Sequence, residues 1–376
     1  MYSSHFKIGD VSVCLGGVCG ADVALSHSLE PFRVDAGTSD IFVQVEWVAD
    51  LVPPERRALF DSGAVWRLYA DDEDLEFDFS TPIVGIRPYK RLIVDDEFRR
   101  ARLLLSVEYC SAVGALPLGY PLDEVLILHR LTQEKAIELH GCGIVGPDGE
   151  SNLFVGHSGA GKSTTTQLWT ASQDVLVLSD DRIIVRRPPP AGLLLPARTE
   201  IPRSARDDKR IADDSARNGS ASRTSPFAQD DKGTVACADQ GGALDARLVR
   251  PQQTRSIRAA RSGPSWDKER PTQDDKATIR MYGTPWHGEA QFASPESAPL
   301  GRICILEHGH GNVLTPLSPS QAVAELFARA FVPFHRHEYI DSALVFLEEV
   351  ANAIPCYRFA FEPNQGAVEA ILNLHD

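Results

Sequence analysis

The sequence predicts a mixed α+β / α/β protein: a β-rich N-terminal module, then a phosphate-loop core interrupted by one long disordered insertion. Three observations carry this expectation. Gly156 to Ser163 reads G-x-x-x-x-G-K-S between an apolar strand and a helix. Residues 1 to about 118 hold short alternating apolar runs separated by turn clusters. From Pro188 to Arg280 apolar residues are sparse and aperiodic, with 17 basic residues against 13 acidic ones. Such a segment buries too little surface to offset its chain entropy. The expected boundaries are 1–118 for the N-terminal module, 119–187 with 280–376 for the core, and 188–279 for the insertion.

Within the first module, Val11–Leu15 and Ile41–Trp47 alternate partially, and Val65–Tyr69 and Leu75–Phe79 alternate clearly, as half-buried antiparallel strands do. Asp71-Asp72-Glu73-Asp74 reads as a solvated turn between the last two. Residues 120–135 carry apolar positions 122, 125, 126, 128 and 131, a helical stripe with Pro121 at its start. Residues 138–145 read as a strand, and Pro147-Asp148-Gly149 as a hairpin turn into a strand at Leu153–Val155. A helix over Thr164–Trp169 follows the glycine-rich loop, then strands at Val175–Ser179 and Arg182–Arg187. Beyond the insertion, Ile303–Glu307 reads as a core strand and Pro319–Phe331 as a helix capped by Ser318. Asp341–Ala353, Pro355–Phe361 and Gly366–Leu374 read as helix, strand and helix.

Composition narrows the function classes. The chain has 376 residues, 43% hydrophobic and 24% charged, with a formal net charge of −14. That charge argues against nonspecific binding of nucleic acid or anionic membranes. The opening MYSSHFKIGD lacks a basic region before an apolar core, and no apolar run nears the roughly 18 residues of a membrane span. A cytoplasmic protein is expected. Seven cysteines, at 14, 19, 110, 142, 237, 304 and 356, include no C-x-x-C pair. Neither a disulfide framework nor structural zinc is expected; they read as small buried hydrophobes.

The chemistry concentrates between Asn152 and Asp181. Glycines 156, 159 and 161 allow successive N–H groups to face one concavity, where the following helix adds the positive end of its dipole. Gly156, Ser158, Gly159, Ala160, Gly161, Lys162, Ser163 and Thr164 are therefore the candidate ATP-binding residues. In this pattern the lysine reaches the β- and γ-phosphates and Ser163 offers its hydroxyl to Mg²⁺. Asp180 lies only 18 residues after Lys162, room for a short helix, a tight return and one strand. A right-handed βαβ unit would then bring Asp180 and Asp181 beside the phosphates. One carboxylate can hold the metal while the other accepts a proton from an attacking hydroxyl. The expected division is Asp181 as base and Asp180, with Ser163, on the metal. His157 is expected to point away from the phosphates.

Strand, G-x-S-G-A-G-K-S-T, helix and an early L-S-D-D-R together resemble the catalytic core of HPr kinase/phosphorylase and HPr-kinase-like proteins. More distantly they are similar to ATP-dependent phosphoenolpyruvate carboxykinase. The resemblance covers roughly 120–187 and 280–376. On residue chemistry alone His140 reads as a satisfied core histidine; by the resemblance it is a candidate catalytic residue near the transferred phosphate. Gly283-Thr284-Pro285-Trp286-His287-Gly288-Glu289 matches a G-T-P-W-x-G-E segment of these relatives and is expected to line the site. The resemblance implies an ATP- and Mg²⁺-dependent serine kinase acting on a protein or peptide, and leaves homo-oligomerisation open. The segment that marks HPr kinase/phosphorylase after its aspartates is absent, so the resemblance does not extend to HPr as acceptor or to the phosphorylase reaction. The alternatives are a small-molecule kinase or carboxykinase-like enzyme, and a nucleotide-binding regulatory protein without turnover.

Overall fold

The structure, a computed structural model, describes residues 3–17, 24–63, 65–71, 74–82, 85–113, 116–188 and 278–374. The 188–279 insertion, apart from its ends, lies outside the described residues. No helix among these residues is long and apolar enough to cross a membrane.

The N-terminal module is one sheet of eight strands: β1 (Ser3–Ile8), β2 (Val11–Gly17), β3 (Ile41–Val48), β4 (Phe60–Asp61), β5 (Trp66–Asp71), β6 (Asp74–Thr81), β7 (Gly85–Asp95) and β8 (Arg100–Ser106). Their spatial order is β1-β2-β3-β8-β7-β6-β5-β4. The clearly alternating runs form the antiparallel pair β5–β6, with Trp66 opposite Phe79. By contrast, β2–β3 and β3–β8 are parallel. On β3, Ile41, Val43 and Val45 are buried while Phe42 faces out, so its alternation assigns the core side directly.

Helices α1 (Val107–Val113) and α2 (Leu122–Leu131) lead into the core. There follow β9 (Ala136–Val145), β10 (Ser151–Val155), α3 (Lys162–Ser172), β11 (Leu176–Ser179), β12 (Arg182–Arg186), β13 (Arg280–Tyr282), β14 (Ser297–Pro299), β15 (Arg302–His308) and β16 (Val313–Pro316). The chain ends with α4 (Pro319–Phe327), β17 (Ala330–Phe331), α5 (His337–Ala353), β18 (Cys356–Phe361) and α6 (Gly366–Leu372). The second sheet runs β14-β13-β12-β9-β10-β15-β18-β16, with β11 and β17 also paired to β9. One face packs on α4 and α5 through residues such as Leu326, Phe346 and Leu347. The other packs on α3 and α6, where Trp169 meets Phe154 at 6.1 Å.

β9 is nearly sealed on both faces, as a strand between two helical layers must be. Because β10 and β11 are each antiparallel to β9, they run parallel to one another with β9 between them. The expected βαβ unit is thus split by an inserted strand, and the ends of β10 and β11 still flank Gly141–Gly143. Arg186 pairs with Arg280 across β12–β13, so the two ends of the long insertion meet as the mouth of a hairpin.

α4 departs from expectation at its C-terminal end. α4 starts as read, with Ser318 and Gln321 forming a capping box, but stops at Phe327 rather than Phe331. Ala330 and Phe331 instead pair with Leu139 and Glu138, and His140 N–H donates to the Arg329 carbonyl at 2.9 Å. The open flank of β9 needs backbone partners there, and that demand outweighs the helical pattern.

One apolar cluster joins the two sheets. Inward residues of the N-terminal sheet pack with Leu122, Val125 and Leu126 of α2 and with Ile184, Tyr282 and Trp286 of the core. At this junction the His129 ring stacks on Phe98 at 4.9 Å and lies 5.2 Å from His335. Its Nδ1 bonds the Val125 carbonyl at 2.6 Å, and its buried Nε2 has no partner among the described residues. Burial and the neighbouring His335 push its pKa down to about 3. The folded state holds this ring neutral while the unfolded chain binds a proton below about pH 6.5, so stability falls as pH drops through that window. In urea titrations between pH 6 and 4, His129→Phe is expected to reduce the pH slope by up to ~1.4 kcal/mol per unit; an unchanged slope would contradict the assignment.

Candidate functional site

The site is built where β10, β11 and β15 end. Gly156, sealed beneath the loop, donates its N–H to the His140 carbonyl at 3.1 Å, and Ala160 N–H closes the turn on His157 O at 3.0 Å. Ser158 and Gly159 are exposed at the crest. Gly161 has φ 103°, and a Cβ there would stand 2.3 Å from the Phe361 ring, so only glycine fits that backbone against that side chain. Lys162 begins α3 with its side chain folded over the loop, donating to Gly156 O at 3.2 Å and His157 O at 3.3 Å. Burial pulls its pKa down. The Ser163 hydroxyl is half-buried in the first helical turn, beside Thr164.

The loop also has a partner that sequence reasoning passed over. His308, at the end of β15, places Nε2 2.8 Å from the Gly159 carbonyl. The His308/His310 pair reads as an ordinary loop in sequence. Its place follows only from β15 lying parallel beside β10.

The two aspartates take different surroundings. Asp180 is 1% exposed, and its carboxylate accepts three backbone N–H groups: Gly288 at 3.0 Å, Ala290 at 2.9 Å and Phe292 at 3.2 Å. With both oxygens engaged this way, Asp180 builds the 283–292 loop. Against the metal role expected for Asp180, every contact the structure shows for its carboxylate is a backbone hydrogen bond within this loop. Gly283 is pinned in the same loop: a Cβ would sit 2.0 Å from Ser294 O and 2.5 Å from Leu178 O. Thr284 Oγ1 donates to Arg182 O at 2.8 Å, and Trp286 anchors the loop in the N-terminal core. His287 and Glu289 are exposed.

Asp181 is the aspartate that meets the other candidates. Its side chain is 26% exposed, with Oδ1 2.9 Å from His140 Nε2 and 4.0 Å from Lys162 Nζ. On the other side Oδ2 lies 3.8 Å from Arg182 Nε. Burial raises the cost of its charge, but the His140 hydrogen bond and the charges of His140, Arg182 and Lys162 win, and the carboxyl is held below its usual range. His140 and Arg182 are directly paired across β9–β12, which is how His140 comes to meet the carboxylate of Asp181, 41 positions away. The glycine-rich loop, Lys162, Asp181 and His140 are therefore brought together, while His157 is exposed and contributes its carbonyl.

Behind Arg182 lies an acid pair that sequence reasoning also missed. Arg182 Nη1 donates to Glu124 Oε1 at 2.6 Å, and its Nε is 3.7 Å from Glu138 Oε1. The period-2 spacing of Glu138 and His140 on one strand was the available signal. Among the described residues no group of acidic, cysteine or histidine side chains has the arrangement of a preformed metal site, and five free cysteines serve no such cluster. No protein-family model matches the chain, and no curated protein matches it significantly.

Replacing Asp180 by Ala should cost ~3 kcal/mol or more in urea unfolding, since three buried N–H groups lose their acceptor. Asp181→Asn should cost under ~1 kcal/mol. Equal losses for the two would contradict the division of roles.

Proposed function

We propose that this chain is an ATP-dependent phosphotransferase that moves the γ-phosphoryl group of Mg·ATP to a hydroxyl. The observation that carries the reading is one juxtaposition. A glycine-rich loop opening a helix with Lys162 lies 4.0 Å, by its ammonium, from an aspartate that also bonds a histidine. Loops of this form bind phosphate through backbone N–H groups and a helix N-terminus. The acceptor class, a Ser hydroxyl on a protein or peptide, comes from the resemblance to HPr-kinase-like cores.

The residues fit this chemistry. Lys162 now donates to two loop carbonyls, bonds that phosphate oxygens can replace. Ser163 has no intramolecular side-chain partner among the described residues, which leaves its hydroxyl available as an oxygen ligand for Mg²⁺. Bound Mg²⁺ supplies charge neutralisation on the transferred phosphate. Asp181 takes the proton of the attacking hydroxyl as its oxygen bonds to Pγ; the bond from Pγ to the bridging oxygen breaks, and ADP leaves. His140 fixes Oδ1 of Asp181 and so orients the base. Because the carboxyl is held below its usual range, it stays ionised through neutral pH and can accept a proton there.

Lys162→Ala should weaken Mg·ATP binding at least about tenfold by calorimetry. Asp181→Asn should leave binding within a few-fold of wild type while reducing transfer from γ-labelled ATP by about 10²–10⁴. Nucleotide binding with no transfer to any Ser-bearing protein or peptide would favour the regulatory reading, and absence of nucleotide binding would overturn the proposal.

A further inference from the structure

We propose that Arg182 acts in cis as the arginine that contacts the phosphoryl group during transfer, an inference that rests on the phosphotransferase reading above. Four observations bear on it. The guanidinium adjoins the proposed base, with Nε 3.8 Å from Asp181 Oδ2, while His140 and Lys162 approach Oδ1. Its plane is fixed by aromatic rings, Phe331 at 4.4 Å and Tyr120 at 5.7 Å from the central carbon. Its only hydrogen bond among the described residues is Nη1 to Glu124, although a guanidinium has five donors. Finally, the side chain keeps 14% of its surface open.

The groups behind Arg182 explain how the charge is held ready. Glu138 is fully buried, and its hydrogen-bonding neighbour is the carboxyl of Glu124. Burial, and then the charge of Glu124 beside it, push the Glu138 carboxyl well above its usual range, which favours its neutral form. One guanidinium then lies between Glu124 behind and Asp181 in front. Burial works against the charge of Arg182, but Glu124, the foremost of its acidic neighbours, more than offsets it and holds the guanidinium above its usual range. The aromatic rings and Glu124 keep the fork in place.

During transfer the new O–Pγ bond forms as the bond from Pγ to the bridging oxygen breaks, and charge spreads over the equatorial oxygens. Arg182 forms no covalent bond; its free N–H groups donate to one of those oxygens. Arginines in this role are worth about 10³–10⁵ in turnover.

The test needs no acceptor. Calorimetry on the full chain compares Mg·ADP alone with Mg·ADP plus fluoroaluminate, a mimic of the phosphoryl group in transit. Wild type should bind the fluoroaluminate complex at least tenfold more tightly than Mg·ADP. Arg182→Lys, which keeps a cation against the buried acids, should bind Mg·ADP within about twofold of wild type and lose that gain. The double variant Arg182→Gln/Glu124→Gln, which removes charge in balance, should do the same if Arg182→Lys folds poorly. A gain that survives in the folded variants, or its absence in wild type that binds Mg·ADP, would overturn the role of Arg182 and leave the phosphotransferase reading standing. Failure of wild type to bind Mg·ADP at all would overturn both.

Discussion

Three backbone N–H groups from one loop converge on the buried carboxylate of Asp180, and the geometry of the site depends on that convergence. The loop has no regular structure to satisfy its own donors. With Asp180 as acceptor, Gly288 is held against the aspartate pair, its Cβ position 3.3 Å from Asp181 Cβ. The same loop carries Trp286 into the core of the N-terminal sheet. A single carboxylate thus couples the edge of the candidate site to the packing of the first module. It also frees the next residue: because Asp180 serves the loop, Asp181 can point to Lys162, His140 and Arg182.

The second determinant is a charge balance. Asp181, Arg182, Glu124 and Glu138 form a line from half-exposed to fully buried. Burying four ionised groups without compensation would be prohibitive. Here burial and Glu124 push the deepest carboxyl, Glu138, well above its usual range, and the single guanidinium is shared between its neighbours. Such an arrangement is poor value as a stabilising device, since apolar residues of similar volume would fill the space as well. Clusters of this kind are commoner where chemistry needs a fixed charge.

Much of this was legible in the sequence, and the failures have particular causes. The loop, Lys162 and the aspartates at short spacing could be read because each follows from local chemistry. His140 could be tied to them only through the resemblance, since its pairing with Arg182 is a register between distant strands. The loop contacts of Asp180 could not be foreseen, because two adjacent carboxylates differ only in which one a remote loop surrounds. The C-terminal turn of α4 was overcalled because the apolar spacing of 319–331 says nothing about the open flank of β9. His308 was missed for a similar reason: parallel pairing of β15 with β10, a tertiary fact, puts it against Gly159.

The central claim is that the loop from Gly156 to Lys162 holds the phosphates of Mg·ATP with Asp181 beside the transferred group. A crystal structure of the chain with Mg²⁺ and a non-hydrolysable ATP analogue tests it most directly. In that structure Lys162 Nζ should leave the carbonyls of Gly156 and His157 for the β- and γ-phosphates, with the γ-phosphate within reach of Asp181. An analogue bound elsewhere, or a Lys162 still folded on those carbonyls with phosphates outside the loop, would contradict it.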